Sequence, residues 1–324
     1  LVPAKHGREQ MPLKGKGFDR MDDEVTYTAS MDGKIEMQND RIVVLPVHEV
    51  SGNAELAEGN IDFRGDIVIH GNVESGVSIR ATGSITIDGV AEACMLEAGK
   101  DIILRGGMLG GNKASVKTKG AITAKFFEFT NILCEGDLQA DVLMDCSVIC
   151  HGQIRLTGRK GSIIGGKVQA IRGLIATSLG NDAEKRTEIF VGAGIDVYSR
   201  LRVMEKKIEM TREELAKIEE GLEKFEILSK ERGVSYTNDP RRTSLLRIKI
   251  KDSAMLASDE EEVRKLRILA ESSKGACVSV LQEIYPGVII NMDELKLALK
   301  NMATGVEFYK LPDKIGTRPC SAGV

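Results

Sequence analysis

The residues best able to do chemistry are few, and their densest group is Cys134, Cys146, Cys150 and His151. A metal site needs three or four such ligands converging on one point. The six cysteines include no CxxC pair. The four histidines belong to no Ser/His/Asp or Cys/His arrangement. Gly106 to Lys113 reads GGMLGGNK, a glycine-rich run that lacks the spaced Gly-Lys-Ser/Thr of a phosphate loop. Asp62 and Asp66, in NIDFRGD, suggest the carboxylate pairs of solenoid polysaccharide lyases. Pro240 to Arg242 and Leu246 to Asp252 form a small basic cluster suited to an acidic partner or to a solvated face.

Whether these groups converge depends on the elements that carry them, and the sequence repeats. Taking Gly65, Gly83, Lys100, Gly120, Gly136, Gly152 and Arg172 as anchors, the spacings are 18, 17, 20, 16, 16 and 20. Two residues past each anchor stand Ile67, Ile85, Ile102, Ile122, Leu138, Ile154 and Leu174. Four past stand Ile69, Ile87, Leu104, Ala124, Ala140, Leu156 and Ala176. Between them lies a mixed set: Val68, Thr86, Ile103, Thr123, Gln139, Arg155 and Ile175. That is period-2 alternation, with one side in and one side out. The frame also runs backwards, to Ile61, Ile79, Leu96, Val116, Ile132, Val148 and Val168 four before, and to Phe63, Ala81, Ala98, Thr118, Cys134, Cys150 and Ala170 two before. A weaker third position falls at Val73, Val90, Met108, Phe127 and Met144.

One such period is one coil of a parallel β-helix. A single coil cannot bury its apolar row; stacked coils can. Corner glycines are expected to supply positive φ. A sandwich of hairpins would not hold one inward register through every repeat. The strict six-residue repeat of left-handed acyltransferase helices is absent. The frame also decides the cysteines. Cys134 and Cys150 occupy inward positions on adjacent coils, and Cys94 and Cys146 share a second inward position with Val77 and Ala114. All four are expected to be small core residues, with His151 facing outward. No metal ligand, catalytic residue or cofactor site is therefore expected, and Asp62 and Asp66 are expected to face solvent at a turn. The outward row holds no aligned carboxylates or bases.

The composition changes after Ile195. From Ser199 to Arg232 the chain is rich in Glu, Lys, Leu and Ile. Leu201, Met204, Ile208, Leu215, Ile218, Leu222 and Phe225, with Thr211 among them, follow heptad spacing and predict a coiled-coil helix stopped at Gly233. This is the candidate seam for protein partners, either a second copy of the chain or the chain's own second helix. That second helix is expected to open with Asp239-Pro240 and to stop at Gly275. The expected organisation is a lead-in segment with strands over 1–50, a parallel β-helix over 51–195 and a helical hairpin over 196–275. Closing β-strands and a short helix follow over 276–310, docked on the solenoid end, with a loose tail over 311–324.

Composition excludes several function classes. Aromatic residues make up only 4% of the chain, and there is no Trp. Thin coils filled by Ile, Val, Leu and Ala fit that better than a large globular core. A net charge of −3 argues against a general grip on nucleic acid or acidic membranes. No stretch is apolar enough to span a bilayer, and no signal peptide opens the chain. The cysteine density fits free thiols in a reducing compartment, so a cytoplasmic protein is expected. The first residue is Leu rather than Met, which fits a fragment.

Several phrases carry a family resemblance: GNIDFRGDIVIHGNV (Gly59 to Val73), AKFFEFTNILCEGDLQADV, the Glu/Lys-rich helical pair, and IYPGV (Ile284 to Val288). From about Met31 to Tyr309 the chain resembles the flagellar assembly protein A (FapA) family of bacteria. The resemblance implies a mainly β fold, a right-handed β-solenoid carrying an inserted coiled-coil hairpin. It also implies that residues 1–50 hold the end of an N-terminal domain, and that the protein is a non-enzymatic scaffold or adaptor linked to flagellar assembly and polar placement, with protein partners. A homodimer through the coiled coil or the solenoid is a separate expectation, opened by the heptad seam of the first helix. Lys100 and Arg172 depart from the usual corner Gly. Similar coil phrases occur in bactofilins and in the division inhibitor MinC, so a self-assembling cytoskeletal element is a second reading. A solenoid carbohydrate-active enzyme is a third, and it lacks its aligned row.

Overall fold

The computed structural model describes residues 14–23, 25–39, 41–233 and 239–320. Its body is a parallel β-solenoid whose coils present three strand faces. On the first face, Ile67, Ile85, Ile102, Ile122, Leu138, Ile154 and Leu174 stack in register. The stack continues one strand further at each end, to Val47–Val50 before it and Cys277–Ile284 after it. On the second face Ile61, Ile79, Leu96, Val116, Ile132, Val148, Val168 and Ile189 stack likewise. Every residue two or four past an anchor is buried. Each β-branched or Leu side chain so placed contributes about 1.5–3 kcal/mol.

The third face corrects the sequence reading at two positions. Its inward residues are Val73, Ala91, Met108, Phe127, Leu143 and Ile163. Val90 and Met144 lie one residue out of phase with it and are only half-buried. A one-residue slip moves a strand residue to the opposite side of the sheet. The loops before this face vary in length, so a fixed offset from the anchor cannot locate it.

Most of the corner glycines also serve a purpose other than the one expected. Of the anchor glycines only Gly65 has positive φ, 150°; Gly83, Gly120, Gly136 and Gly152 do not. A Cβ at Gly83 would instead lie 2.7 Å from Gly65 O and overlap Asp66 Oδ1. The corners of successive coils approach too closely for a side chain. The Asx residues beside them bond from coil to coil: Asp66 Oδ1 accepts from Ser84 N at 2.7 Å, Asp101 Oδ1 from Ala121 N at 2.8 Å, and Asp137 Oδ1 from Gln153 N at 2.7 Å. These bonds satisfy corner amides that the strand ladders leave open.

The helical insert leaves the solenoid at one of these corners. In other coils the step from second face to first is four residues, as from Ala81 to Ile85 or Cys150 to Ile154. Here it runs from Val191 to Val278, whose strands take the same places in the stack. The solenoid resumes in register and is then closed by reversal of the chain. Leu295–Ala298 pairs antiparallel with Val288–Met292, Ala303–Lys310 with Cys277–Ile284, and Ile315–Pro319 with Ala303–Lys310.

Two expectations fail in this closing segment. No short helix forms in residues 276–310, because Leu295–Ala298 finds the open edge of a parallel stack and satisfies it as a strand. The stretch 315–319 is no loose tail but an edge strand, held in part by Arg318 Nε on Glu307 Oε1 at 2.8 Å. At the other end a small three-stranded sheet precedes the solenoid, with Arg41–Leu45 between Lys34–Gln38 and Gly15–Lys16.

Candidate functional site

The inserted arm consists of two helices, α1 (Gly194–Arg232) and α2 (Pro240–Ser272). Gly233 ends α1 in the left-handed region, φ 61°, as a residue without Cβ can. Asp239 opens α2: its Oδ1 accepts the Arg241 N–H at 2.8 Å, and Pro240 follows at a position that has no donor to waste. At about 1.5 Å per residue α1 is nearly 60 Å long. The helices pack on each other and not along the strands of the solenoid.

The heptad residues of α1 all face α2, but burial is uneven. Met204, Ile208, Thr211 and Leu215 are buried, while Leu201, Ile218, Leu222 and Phe225 are half-buried. The reason lies on α2. Near the base it opposes the seam with Val263, Leu266 and Ala270, which are buried. Further out the same face carries Asp259, Asp252 and Lys249. Lys207 Nζ lies 2.7 Å from Asp259, and Lys249 Nζ lies 2.7 Å from Glu219. The inner half of the arm is therefore an apolar hairpin, and the outer half a looser pairing of apolar α1 positions with charged α2 positions. On one side a groove of about 1370 Å³ runs along the helices, floored by Ile208 and Val263 and bridged by Glu205–Arg267 and Arg212–Glu260.

The other sequence candidates are dispersed. Cys94, Cys134, Cys146 and Cys150 are buried core residues, and the strands pair Cys134 with Cys150 in register. Burial pushes the Cys94 thiol up to about 12 and that of Cys146 up to about 11. The Cys134 thiol, together with burial, raises Cys150. Cys94, Cys146 and Cys150 are therefore protonated thiols, while the hydrogen bond from Cys150 draws the Cys134 thiol below its ordinary value. His151, one residue out of phase with Cys150, is half-buried. Among the described residues no three His, Cys, Asp or Glu side chains converge to hold a metal ion. The glycine-rich run 106–113 belongs mostly to the strand Met108–Thr118 and its bulge, where Gly111 and Asn112 have positive φ.

Asp62 and Asp66 do not form a dyad. Asp66 is only part-exposed and is held by the next coil, as described above. Asp62 begins an outward row, Asp62–Arg80–Glu97–Lys117, with neighbours at 3.7, 3.1 and 3.4 Å. Sequence reasoning overlooked this row because it compared the first face only. Its signs alternate from coil to coil, so it neutralises itself and offers no acid/base pair. The Arg80 hydrogen bond holds the Glu97 carboxyl below its usual range. At the base of the arm a cleft of about 510 Å³ is lined by Tyr198, Ser273, Asp293, Lys310 and Arg318. Its cations are already spent, Lys310 on Asp293 at 2.5 Å and Arg318 on Glu307. Among the described residues no helix is long and apolar enough to cross a membrane.

A family model described as the FapA (Flagellar Assembly Protein A) beta solenoid domain matches residues 46–315. No curated protein and no solved structure matches the chain.

Proposed function

The chain belongs to the flagellar assembly protein A β-solenoid family, and from that premise we propose that it is a non-enzymatic scaffold, a rigid rod that presents a helical arm to protein partners in flagellar assembly or polar placement. The observation that carries this reading is the insertion of the arm at a single solenoid corner, with the register of the stack undisturbed on either side. Such an element adds nothing to the core of the rod. It stands off the rod along its length and exposes long helical faces, a form suited to helix-in-groove or bundle recognition. The placement of every cysteine in core or half-buried positions and the self-neutralising outward charge row agree with a role that needs no catalysis, cofactor or metal. A cytoplasmic location, near the pole through its partners, follows on this reading.

A bactofilin-like filament fits less well. Open-ended stacking needs free strand edges at both ends of the rod, and antiparallel strands close one of them.

The test is affinity capture from the native host with the full chain and with the arm deleted. The scaffold reading expects partners on the full chain that are lost with the arm. Unchanged recovery would remove the arm from the function.

A further inference from the structure

The charges of α2 are segregated along its length. Residues 241–251 hold five cations and no carboxylate: Arg241, Arg242, Arg247, Lys249 and Lys251. Residues 252–262 hold five carboxylates and no cation: Asp252, Asp259, Glu260, Glu261 and Glu262. Of the cations only Lys249 has a carboxylate in ion-pair reach, Glu219; Arg241, Arg242, Arg247 and Lys251 have none among the described residues. Four unpaired cations within three turns repel one another. An acidic surface set against them would relieve that repulsion.

The flank of α2 beside the seam supplies such a surface in reverse. Arg241, Ile248, Met255 and Glu262 follow at seven-residue steps, which keeps them on one stripe. Ile248 and Met255 are 45% and 39% exposed, large apolar side chains that the hairpin does not cover. Read backwards the stripe is its own complement. An antiparallel copy sets Arg241 against Glu262 and Ile248 against Met255, and each pair recurs across a twofold axis passing between Lys251 and Asp252. Glu262 already meets Arg200, and Glu261 meets Arg264 at 2.9 Å, but a carboxylate has lone pairs for a second cation.

We infer that this flank of α2 docks on the same flank of a second copy of the chain, antiparallel and isologous. The inference rests on the arm being the interaction element and names that element's partner. The twofold axis lies about 30 Å along α2 from its base, so the two solenoids sit at opposite ends of the paired arms, their junctions about 60 Å apart. Arg–Glu pairs at both ends fix the register, and the Ile–Met pairs form the centre of the contact.

Sedimentation velocity on the purified full chain tests it, with two charge-reversed variants, R241E/R242E and E261R/E262R. The wild type is expected to dimerise. Each variant alone sets like charges against like and is expected to weaken self-association about tenfold or more. An equimolar mixture of the two restores opposite charges at every site and is expected to dimerise as the wild type does, which also shows both variants to be folded. A monomeric wild type, variants that dimerise unaided, or a mixture that stays monomeric while its helical circular dichroism is intact each overturns the inference. None of these outcomes bears on partner capture by the arm, which is read separately.

Discussion

Lys207 reaches across the hairpin to Asp259, with Nζ 2.7 Å from Oδ2. The contact is an ion pair rather than an aligned hydrogen bond. It marks the point where the apolar seam of the arm gives way to a charged one. Asp259 is buried and Lys207 is half in solvent, so the carboxylate depends on a partner that is not itself fixed by packing. Lys207→Met should strand the carboxylate and loosen the arm by about 1–3 kcal/mol. Asp259→Leu should be neutral or stabilising by about 1 kcal/mol, because it extends the Val263–Leu266 cluster by one layer. Hydrogen exchange of the α1 and α2 amides separates the two; equal losses would show that the pair is not what limits the seam.

At the corners, Asp66 and Gly83 are coupled by space. Gly83→Ala should cost about 2 kcal/mol or more, since the new Cβ overlaps Asp66 Oδ1 and crowds Gly65 O. Asp66→Ala should cost about 1 kcal/mol through loss of the bond from Ser84 N. The double variant should cost less than the sum, because removing the carboxylate removes part of the clash. Denaturant unfolding of the four proteins gives the coupling, and strict additivity would contradict the close-approach account of the corner.

The alternation of burial gives a sharp contrast between neighbours. Ile102 is fully buried and Ile103 is 36% exposed. Ile102→Ala should destabilise by about 2–5 kcal/mol, and Ile103→Ala by about 0.5 kcal/mol or less. Comparable losses would mean that the inward register is wrong.

The buried thiols tie stability to alkaline pH. Cys94 and Cys146 ionise at about 12 and about 11 in the fold, against an ordinary thiol value of 9.0 when unfolded. The folded state then binds more protons than the unfolded one, so stability is full below about pH 9 and falls as pH rises from there through the folded values. In the native protein a thiol reagent at pH 8 should reach at most the half-buried Cys277 and Cys320, and all six cysteines after unfolding. Rapid native labelling of four or more would contradict the core assignment.

How much of this was legible in the sequence depended on which physical rule fixed each position. The first two faces were readable because Ile67 to Leu174 and Ile61 to Val168 keep a constant offset from the corner and alternate with period 2. The third face slipped at Val90 and Met144 because the connecting loops change length, and because Ala91 is too small to announce itself as core. Leu295–Ala298 has helix-forming residues, yet a waiting strand edge decides its conformation. The Asp66–Ser84 type of bond was invisible because it links residues 18 apart and exists only once coils stack. The α1 seam was legible from its heptads. What α2 opposes to it was not, because Asp259 and Lys249 are charged residues that a hydrophobic period passes over, and only the packed hairpin shows them facing the outer seam.

The central claim is that the arm is a module set into an otherwise continuous rod, and one deletion tests it directly. Removing residues 193–275 joins Gly192 to Ala276 and restores the four-residue step from Val191 to Val278 that the other coils use. Circular dichroism of that variant should lose its helical signal and keep the β signal, with a melting temperature within a few degrees of the full chain. Loss of the β signal, or collapse of its thermal transition, would contradict the account.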